Sequence, residues 1–361
     1  MAVIKFDFKS GDQLSLRSVL IWRIVQAVVW LVGAVILFCL LFFPPLGVLL
    51  FWNILIPVAP VLFVIGTGVW RNVCPLATTV LLPRHLSLSK RKRLSLEELG
   101  KLNLVAVIVL YIIVPLRHAV FNTNGIATAL LIISMAFIGI ILGFVYEWKS
   151  VWCSGLCPVH PVEKLYGENV FMSMPNAHCN QCRNCVIPCP DSTPNINPQI
   201  TAKTIYHKIS GLMIIGGLPG FIWGWFHVPD ETAITKLSTF FSVYQMPLLG
   251  FAITLIIYEI LALIVRPKYQ QKLISIFAAS AVSCYYWYRI PSLFGFGNFN
   301  NDGLLINLKS ILPGWLIPLI TITITFFFFD WLVIRKPNNK SWVIRPQFAG
   351  REETQATKLP V

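Results

Sequence analysis

Eight long apolar runs are the feature that most constrains this chain. A helix needs roughly 20 apolar residues to cross a bilayer, and such runs lie at about 19–43, 46–70, 102–121, 126–146, 209–228, 243–265, 273–293 and 312–334. Hydrophobic residues make up 56% of the 361 residues and charged residues 12%, and the mean hydropathy is +0.71, far above that of a soluble domain. The sequence predicts an all-α integral membrane protein with about eight transmembrane helices. The first run is too long for a signal peptide, so we expect it to be retained.

The basic residues are distributed unevenly about these runs. Although the net charge is +14, 25 of the 29 Lys and Arg residues fall on one predicted side, at 1–23, 71–101, 148–208, 266–272 and 335–358. Positive charge accumulates on the cytoplasmic side of membrane proteins. We therefore expect a prokaryotic-type inner membrane protein with both termini in the cytoplasm, and basic clusters that contact anionic lipid rather than nucleic acid.

Most of the cysteines lie on predicted cytoplasmic segments. Seven of the nine do so, namely Cys74, Cys153, Cys157, Cys179, Cys182, Cys185 and Cys189. A reducing compartment disfavours disulfides and favours metal binding. Cys39 and Cys284 fall within apolar runs, where we expect them to pack as small apolar residues.

The stretch HCNQCRNCVIPCP carries the strongest motif. Its spacing from Cys179 to Cys189 is C-x2-C-x2-C-x3-C-P, the pattern of bacterial ferredoxins. Zinc sites usually pair two C-x2-C knuckles across a longer gap, so we favour iron and sulfide. The sequence predicts a small ferredoxin-like [4Fe-4S] loop domain in segment 148–208, between two helical hairpins (1–147) and four further helices with a tail (209–361).

Two shorter motifs each follow a predicted hairpin. Trp70-x3-Cys74-Pro matches Cys153-x3-Cys157-Pro, as in an internal duplication with Trp in place of the first Cys. Seven cysteines are one short of the eight that two all-cysteine clusters need. One alternative is a single cluster, for example on Cys179, Cys182, Cys185 and one of Cys74, Cys157 or Cys189. The other is two clusters with an unusual ligand or a missing iron, for which His160 and His178 lie nearby in sequence; we favour two.

Together these motifs resemble the membrane-bound polyferredoxin family of NapH-like and NosR-like proteins, over roughly residues 20–198. The resemblance implies cytoplasmic clusters held by the seven cysteines named above. It also implies electron transfer linked to the quinone pool, or a role in maturing a partner metalloenzyme. The family commonly has a cysteine where Trp70 stands, and residues 209–334 extend beyond the resemblance.

Ionisable residues inside the apolar runs are candidates for proton transfer, because they are costly in a membrane. Glu259 lies seven residues before Arg266, about 10 Å deep, and we predict it as a proton acceptor for quinol. Glu147, His207 and Asp330 lie near the same predicted side, where ion pairing at the interface is the alternative for Glu147 and Asp330. His118 and His227 lie at the outer ends of helices, but their spacing does not indicate a haem.

The sequence contains no Gly-rich nucleotide-binding loop, so we expect no flavin or nicotinamide domain. The leading hypothesis is a redox subunit that relays electrons between the clusters and quinone or a partner complex, for example as the membrane component of a quinol dehydrogenase. One alternative is an assembly or metal-reduction factor for another metalloenzyme. Another is an accessory subunit of a larger respiratory or photosynthetic complex.

Overall fold

The computed structural model describes residues 10–11, 15–92, 94–147, 149–167, 169–171, 174–175, 204–230, 237–299, 303–335 and 343–346. In this part of the chain eight long helices form: α1 (Leu16–Phe42), α2 (Ile56–Val73), α3 (Leu96–Leu116), α4 (Gly125–Val145), α5 (Ile205–Trp225), α6 (Leu237–Ile264), α7 (Gln270–Leu293) and α8 (Leu316–Phe329). Every predicted apolar run thus contains a helix.

Short helical turns and strands connect or extend these helices. The α-helical turns are Pro44–Val48, Pro75–Val80, Leu82–His85 and His160–Tyr166, with a 3-10 turn at Pro267–Tyr269. The π-helical segments are Leu49–Leu55, Arg117–Phe121, Lys149–Leu156, Met213–Gly217 (within α5) and Asp330–Ile334. The strands β1 (Ser10–Gly11), β2 (Met174–Pro175) and β3 (Val343–Pro346) form a parallel sheet in the order β1-β3-β2, with Ser10 opposite Arg345 and Met174 opposite Val343.

Seven helical segments in the described ranges are long and apolar enough to cross a membrane. They are Arg17–Phe42, Pro44–Val80, Leu96–Phe121, Gly125–Val145, Ile205–Trp225, Phe240–Ile264 and Leu316–Ile334. The protein is therefore an all-α integral membrane protein whose apolar helices contact lipid. The eighth predicted run forms α7, which has 24 residues but also contains Lys272, Arg289 and several serines and tyrosines, so its composition falls short of a membrane span.

Helix α7 lies inside the helix bundle. Small residues on it, including Ala278, Ala279 and Ala281, are fully buried in the largest apolar core, which α2, α3, α5, α6 and α8 also line. Its Tyr286 hydroxyl donates to the carbonyl of Pro57 (2.7 Å) and accepts from the N–H of Val61 (3.0 Å). The hydroxyl therefore inserts into the backbone ladder of α2, where nearby prolines weaken helical pairing.

Local sequence signals account for several helix boundaries. Ser95 and Glu98 form a capping box at the start of α3, with Glu98 N–H donating to the Ser95 hydroxyl (3.2 Å) and Ser95 N–H donating to the Glu98 carboxylate (2.7 Å). Glycines permit the close contact between α5 and α6, because a Cβ on Gly220 would overlap the carbonyl oxygen of Gly250.

Candidate metal centre

Each of the two Cys-Pro motifs ends a helical segment, so Cys74 and Cys157 lie just outside regular helix. Cys74 follows α2 with φ −53° and ψ 118°, and Pro75 begins the next helical turn. The residue before a proline is disfavoured in the helical conformation, which explains why α2 ends here. Cys157 follows the π-helical segment Lys149–Leu156 and also precedes a proline. The paired sequence motifs therefore produce similar interruptions in two separate hairpins.

The fold brings the two motifs together. Cys153 is buried in an apolar cluster with Trp152 and Leu81, and Cys74 packs against that cluster. Burial, together with the nearby Glu163 carboxylate and Cys74 thiol, raises the pKa of the Cys157 thiol to about 12, and the Arg71 guanidinium only partly opposes this. A thiol of this kind stays protonated near neutral pH unless a metal ion replaces the proton.

Trp70, which aligns with Cys153 in the paired motifs, packs on the apolar core. Its ring lies against Phe63 (centroids 5.5 Å apart) and packs on the large core around α7. Its carbonyl accepts from the N–H of Cys74 at 2.9 Å. The first motif therefore contributes one thiol and a core aromatic residue, whereas the second contributes two thiols.

A buried charge network joins the motifs. Arg71, on the last turn of α2, donates through Nη1 to Glu163 Oε2 (3.0 Å) and to the carbonyl of Cys153 (3.3 Å). His160 Nδ1 lies 3.3 Å from the same Glu163 oxygen, and its backbone N–H donates to the carbonyl of Cys157 (3.1 Å). Burial lowers the pKa of His160 to about 4, so its contact with Glu163 is a hydrogen bond from a neutral imidazole near pH 7. One ion pair therefore positions both Cys-Pro turns.

A second buried ion pair lies on the same end of the bundle. Glu147 is almost fully buried, and its Oε2 lies 3.8 Å from Arg84 Nη1. The backbone N–H of Glu147 donates to the carbonyl of Lys92 (3.0 Å), which fixes the polar loop before α3 against the end of α4. Glu147 is therefore paired, as the alternative to proton transfer expects, but it is buried and its partner is Arg84 rather than a neighbouring basic residue at the interface.

The described residues alone do not complete a metal site. Among them no group of three or more His, Cys, Asp or Glu side chains is arranged to hold a metal ion. Cys179, Cys182, Cys185, Cys189 and His178 lie outside the described residues. Before them, His160–Tyr166 follows Cys157 and the described chain continues to β2 (Met174–Pro175), which pairs with β3. After them, the described chain resumes at Thr204, whose hydroxyl would lie 2.7 Å from a Cβ on Gly100 near the start of α3. Leu102, two residues further along α3, packs against the cluster that contains Cys153, so the chain resumes close to the Cys-Pro turns.

The predicted acid–base residues are separate from one another. Asp330 is half-buried and pairs with Arg335 (2.8 Å), and His207 Nδ1 contacts the Thr204 hydroxyl (2.8 Å). Glu259 is exposed on α6, and no described contact joins it to Glu147, His207 or Asp330. Its role as a quinol proton acceptor stays a prediction.

A polar cavity lies at the opposite end of α3, about 30 Å from the start of that 21-residue helix. The cavity has a volume of about 150 Å³ and is lined by Arg117, His118, Asp230 and Arg289, among others. Both ring nitrogens of His118 contact oxygen atoms, with Nδ1 at 2.6 Å from Asp230 Oδ1 and Nε2 at 2.9 Å from the carbonyl of Trp225. Those nitrogens are therefore engaged within the protein rather than directed at a ligand.

Sequence reasoning missed the residue that ties the cavity to α2 and α7. Asn53 Oδ1 accepts from Arg289 (2.7 Å) and from Arg117 (3.3 Å). Its position inside an apolar run could have identified it from the sequence, because a polar side chain in a membrane segment needs hydrogen-bond partners. The buried arginines at this end serve the packing of the bundle.

These features define a class: a polytopic helical membrane protein with two converging Cys-Pro turns and a buried ion pair between them. No family model, no curated protein and no solved structure matches the chain.

Proposed function

We propose that the protein is a membrane-bound iron–sulfur electron-transfer protein. The observation that carries the proposal is the convergence of Cys74, Cys153 and Cys157, from two hairpins, at one end of the bundle. The chain that follows the C-x2-C-x2-C-x3-C segment resumes near the same end, at Thr204 beside Gly100. The donor set fits the group, because thiolates in this spacing are the ligands of [4Fe-4S] clusters.

The seven cysteines would hold one or two clusters, and we favour two. Cys179, Cys182 and Cys185 would supply one cluster, while Cys74, Cys153 and Cys157 would contribute to the other, with Cys189 able to serve either. Clusters of this kind supply one-electron transfer at potentials set by exposure and hydrogen bonding. The chain's own part is to bury the thiols, to exclude water with Trp152 and Leu81, and to fix the two turns through Arg71 and Glu163.

We infer further that α7 also crosses the bilayer, so that eight crossings place both termini and the seven cysteines in the cytoplasm. With 24 residues α7 is about 36 Å long, enough to span. Ser275, Ser283 and Arg289 on it are buried in the protein rather than exposed to lipid. Alkaline phosphatase fused at the C-terminus should be inactive, whereas a fusion after Asp230 should be active. An active C-terminal fusion would contradict the eight-crossing topology.

The electron partner would be quinone in the bilayer or another redox subunit. The measurement that tests the main proposal is iron and acid-labile sulfide per chain on anaerobically purified protein, with an EPR spectrum after dithionite. Two clusters would give about eight of each per chain and one cluster about four. Cys157→Ser and Cys182→Ser should each lower the iron content, whereas Cys39→Ser, at a buried site within α1, should not.

The same experiment separates the alternatives. Zinc without iron would overturn the redox proposal. Iron that is present but redox-silent in membranes supplied with quinol would favour an accessory subunit. Iron that is oxidised only by an apo-form partner metalloenzyme, with no steady-state turnover, would favour an assembly or metal-reduction factor.

A further inference from the structure

Glu259 is the one acidic residue without a partner among the seven that the described ranges contain. Each of the other six has an opposite charge or a capping contact: Glu97 with Lys101, Glu98 with Ser95, Glu147 with Arg84, Glu163 with Arg71, Asp230 with His118 and Asp330 with Arg335. Within the described ranges the other carboxylates are therefore satisfied inside the protein, and Glu259 is the exception.

The carboxylate lies on the lipid-facing side of α6. Ile256 and Leu263, one turn before and one turn after it, are 58% and 86% exposed, and the adjacent Ile260 is 51% exposed. The other side of α6 packs on α5 and α7 through Tyr258 and Gly250. Glu259 therefore projects away from its own bundle, within the membrane-spanning segment Phe240–Ile264.

Lipid alone is a poor environment for this side chain. Lys and Arg can extend long stems to the interface, but a glutamate about 10 Å from the Arg266 boundary is too short to do so. Polar side chains on membrane helices are commonly satisfied by hydrogen bonds or opposite charges from a neighbouring helix. The group that would satisfy the Glu259 carboxylate is a basic side chain at the same depth in the bilayer.

We propose that this face of α6, formed by Ile256, Glu259, Ile260 and Leu263, docks a transmembrane helix of a partner subunit that carries Lys or Arg at the level of Glu259. A second copy of the chain is disfavoured as occupant. A two-fold axis along the membrane normal repeats the same patch on both copies, and it would bring two Glu259 carboxylates together at equal depth. The proposal does not depend on whether the cysteines hold iron.

The test is photo-crosslinking in native membranes with the full-length chain. A photoreactive amino acid at Ile260 or at Leu263 should crosslink to a peptide from another membrane subunit, and mass spectrometry should identify a Lys or Arg within that subunit's spanning helix. Glu259→Lys should lower the yield at least about tenfold, and exchanging the identified basic residue for Glu should restore it. Glu259→Leu should also lose the crosslink but leave the thermal stability of the purified chain unchanged or higher, which separates docking from folding.

Four outcomes would overturn the proposal. They are crosslinks to lipid or quinone only, crosslinks to a second copy of the chain, a partner helix with no basic residue in its span, and a yield that Glu259→Lys leaves unchanged.

Discussion

The buried ion pair between Arg71 and Glu163 should determine how firmly the two Cys-Pro turns are held together. Arg71→Met keeps the length of the side chain and removes its charge, which leaves the Glu163 carboxylate, 2% exposed, inside the bundle. Removing one partner of a buried ion pair costs about 3–5 kcal/mol. Because His160 Nδ1 remains 3.3 Å from the same carboxylate oxygen, we expect a loss near the lower limit, about 3 kcal/mol in the free energy of unfolding.

A double-mutant cycle shows whether the pair itself carries this effect. Replacing a whole buried ion pair with apolar residues is often neutral, so Arg71→Met combined with Glu163→Leu should be more stable than Arg71→Met alone. The assay is reversible unfolding of the purified protein in mixed detergent micelles.

The exposed pair of Glu97 and Lys101 provides a matched control. Its atoms are 2.9 Å apart, close to the 3.0 Å of the buried pair, but its side chains are 62% and 51% exposed. Lys101→Met should leave the free energy of unfolding almost unchanged, because solvent screens an exposed pair. A cost below about 1 kcal/mol for Arg71→Met, or a double variant that loses the sum of the two single losses, would refute the reasoning.

Three further variants test the packing of the bundle by the same unfolding assay. Tyr286→Phe should cost about 1–3 kcal/mol, because the two backbone groups of α2 that its hydroxyl bridges lose a partner in an apolar core; an unchanged stability would mean that the α2 ladder closes without it. Gly220→Leu should lower the melting temperature by separating α5 from α6, whereas Gly314→Leu, where nothing lies within 4 Å, should not; equal effects would contradict this. Asn53→Leu should cost about 1–3 kcal/mol by removing the acceptor that Arg117 and Arg289 share, and a neutral result would show that the arginines are held by other contacts.

The helices could be predicted from the sequence because each depends on a local run of apolar residues. The exception is informative: α7 is helical as predicted, but Lys272, Arg289 and its polar side chains keep it from qualifying as a membrane span by composition. The other helices bury these polar side chains, and that burial depends on the assembled bundle rather than on the local sequence of α7. The strands β1, β2 and β3 left no recognisable pattern, since two of them have only two residues and β1 pairs with a segment far away in sequence.

Only the local part of the candidate site, the spacing of its cysteines and prolines, could be predicted from the sequence. The Cys-Pro pairs are local, and the structure brings Cys74 and Cys153 into one cluster. Arg71 and Glu163 are 92 residues apart, and Asn53 and Arg289 are 236 apart, so nothing in the local sequence pairs them. Buried charges become recognisable as partners only when the fold has placed them in contact.

The contacts around the cysteines imply that the two turns are organised by the protein itself. Arg71 reaches both Glu163 and the carbonyl of Cys153, while His160 binds the carbonyl of Cys157 and the same Glu163 carboxylate. These bonds involve no thiol, so they hold the backbone of both motifs whether the sulfur atoms are protonated or metal-bound. In small zinc domains the metal supplies most of the folding free energy, whereas here packing and the ion pair position the thiols. If a metal bound at these turns changed its oxidation state, these hydrogen bonds would still hold the turns and the surrounding helices in place.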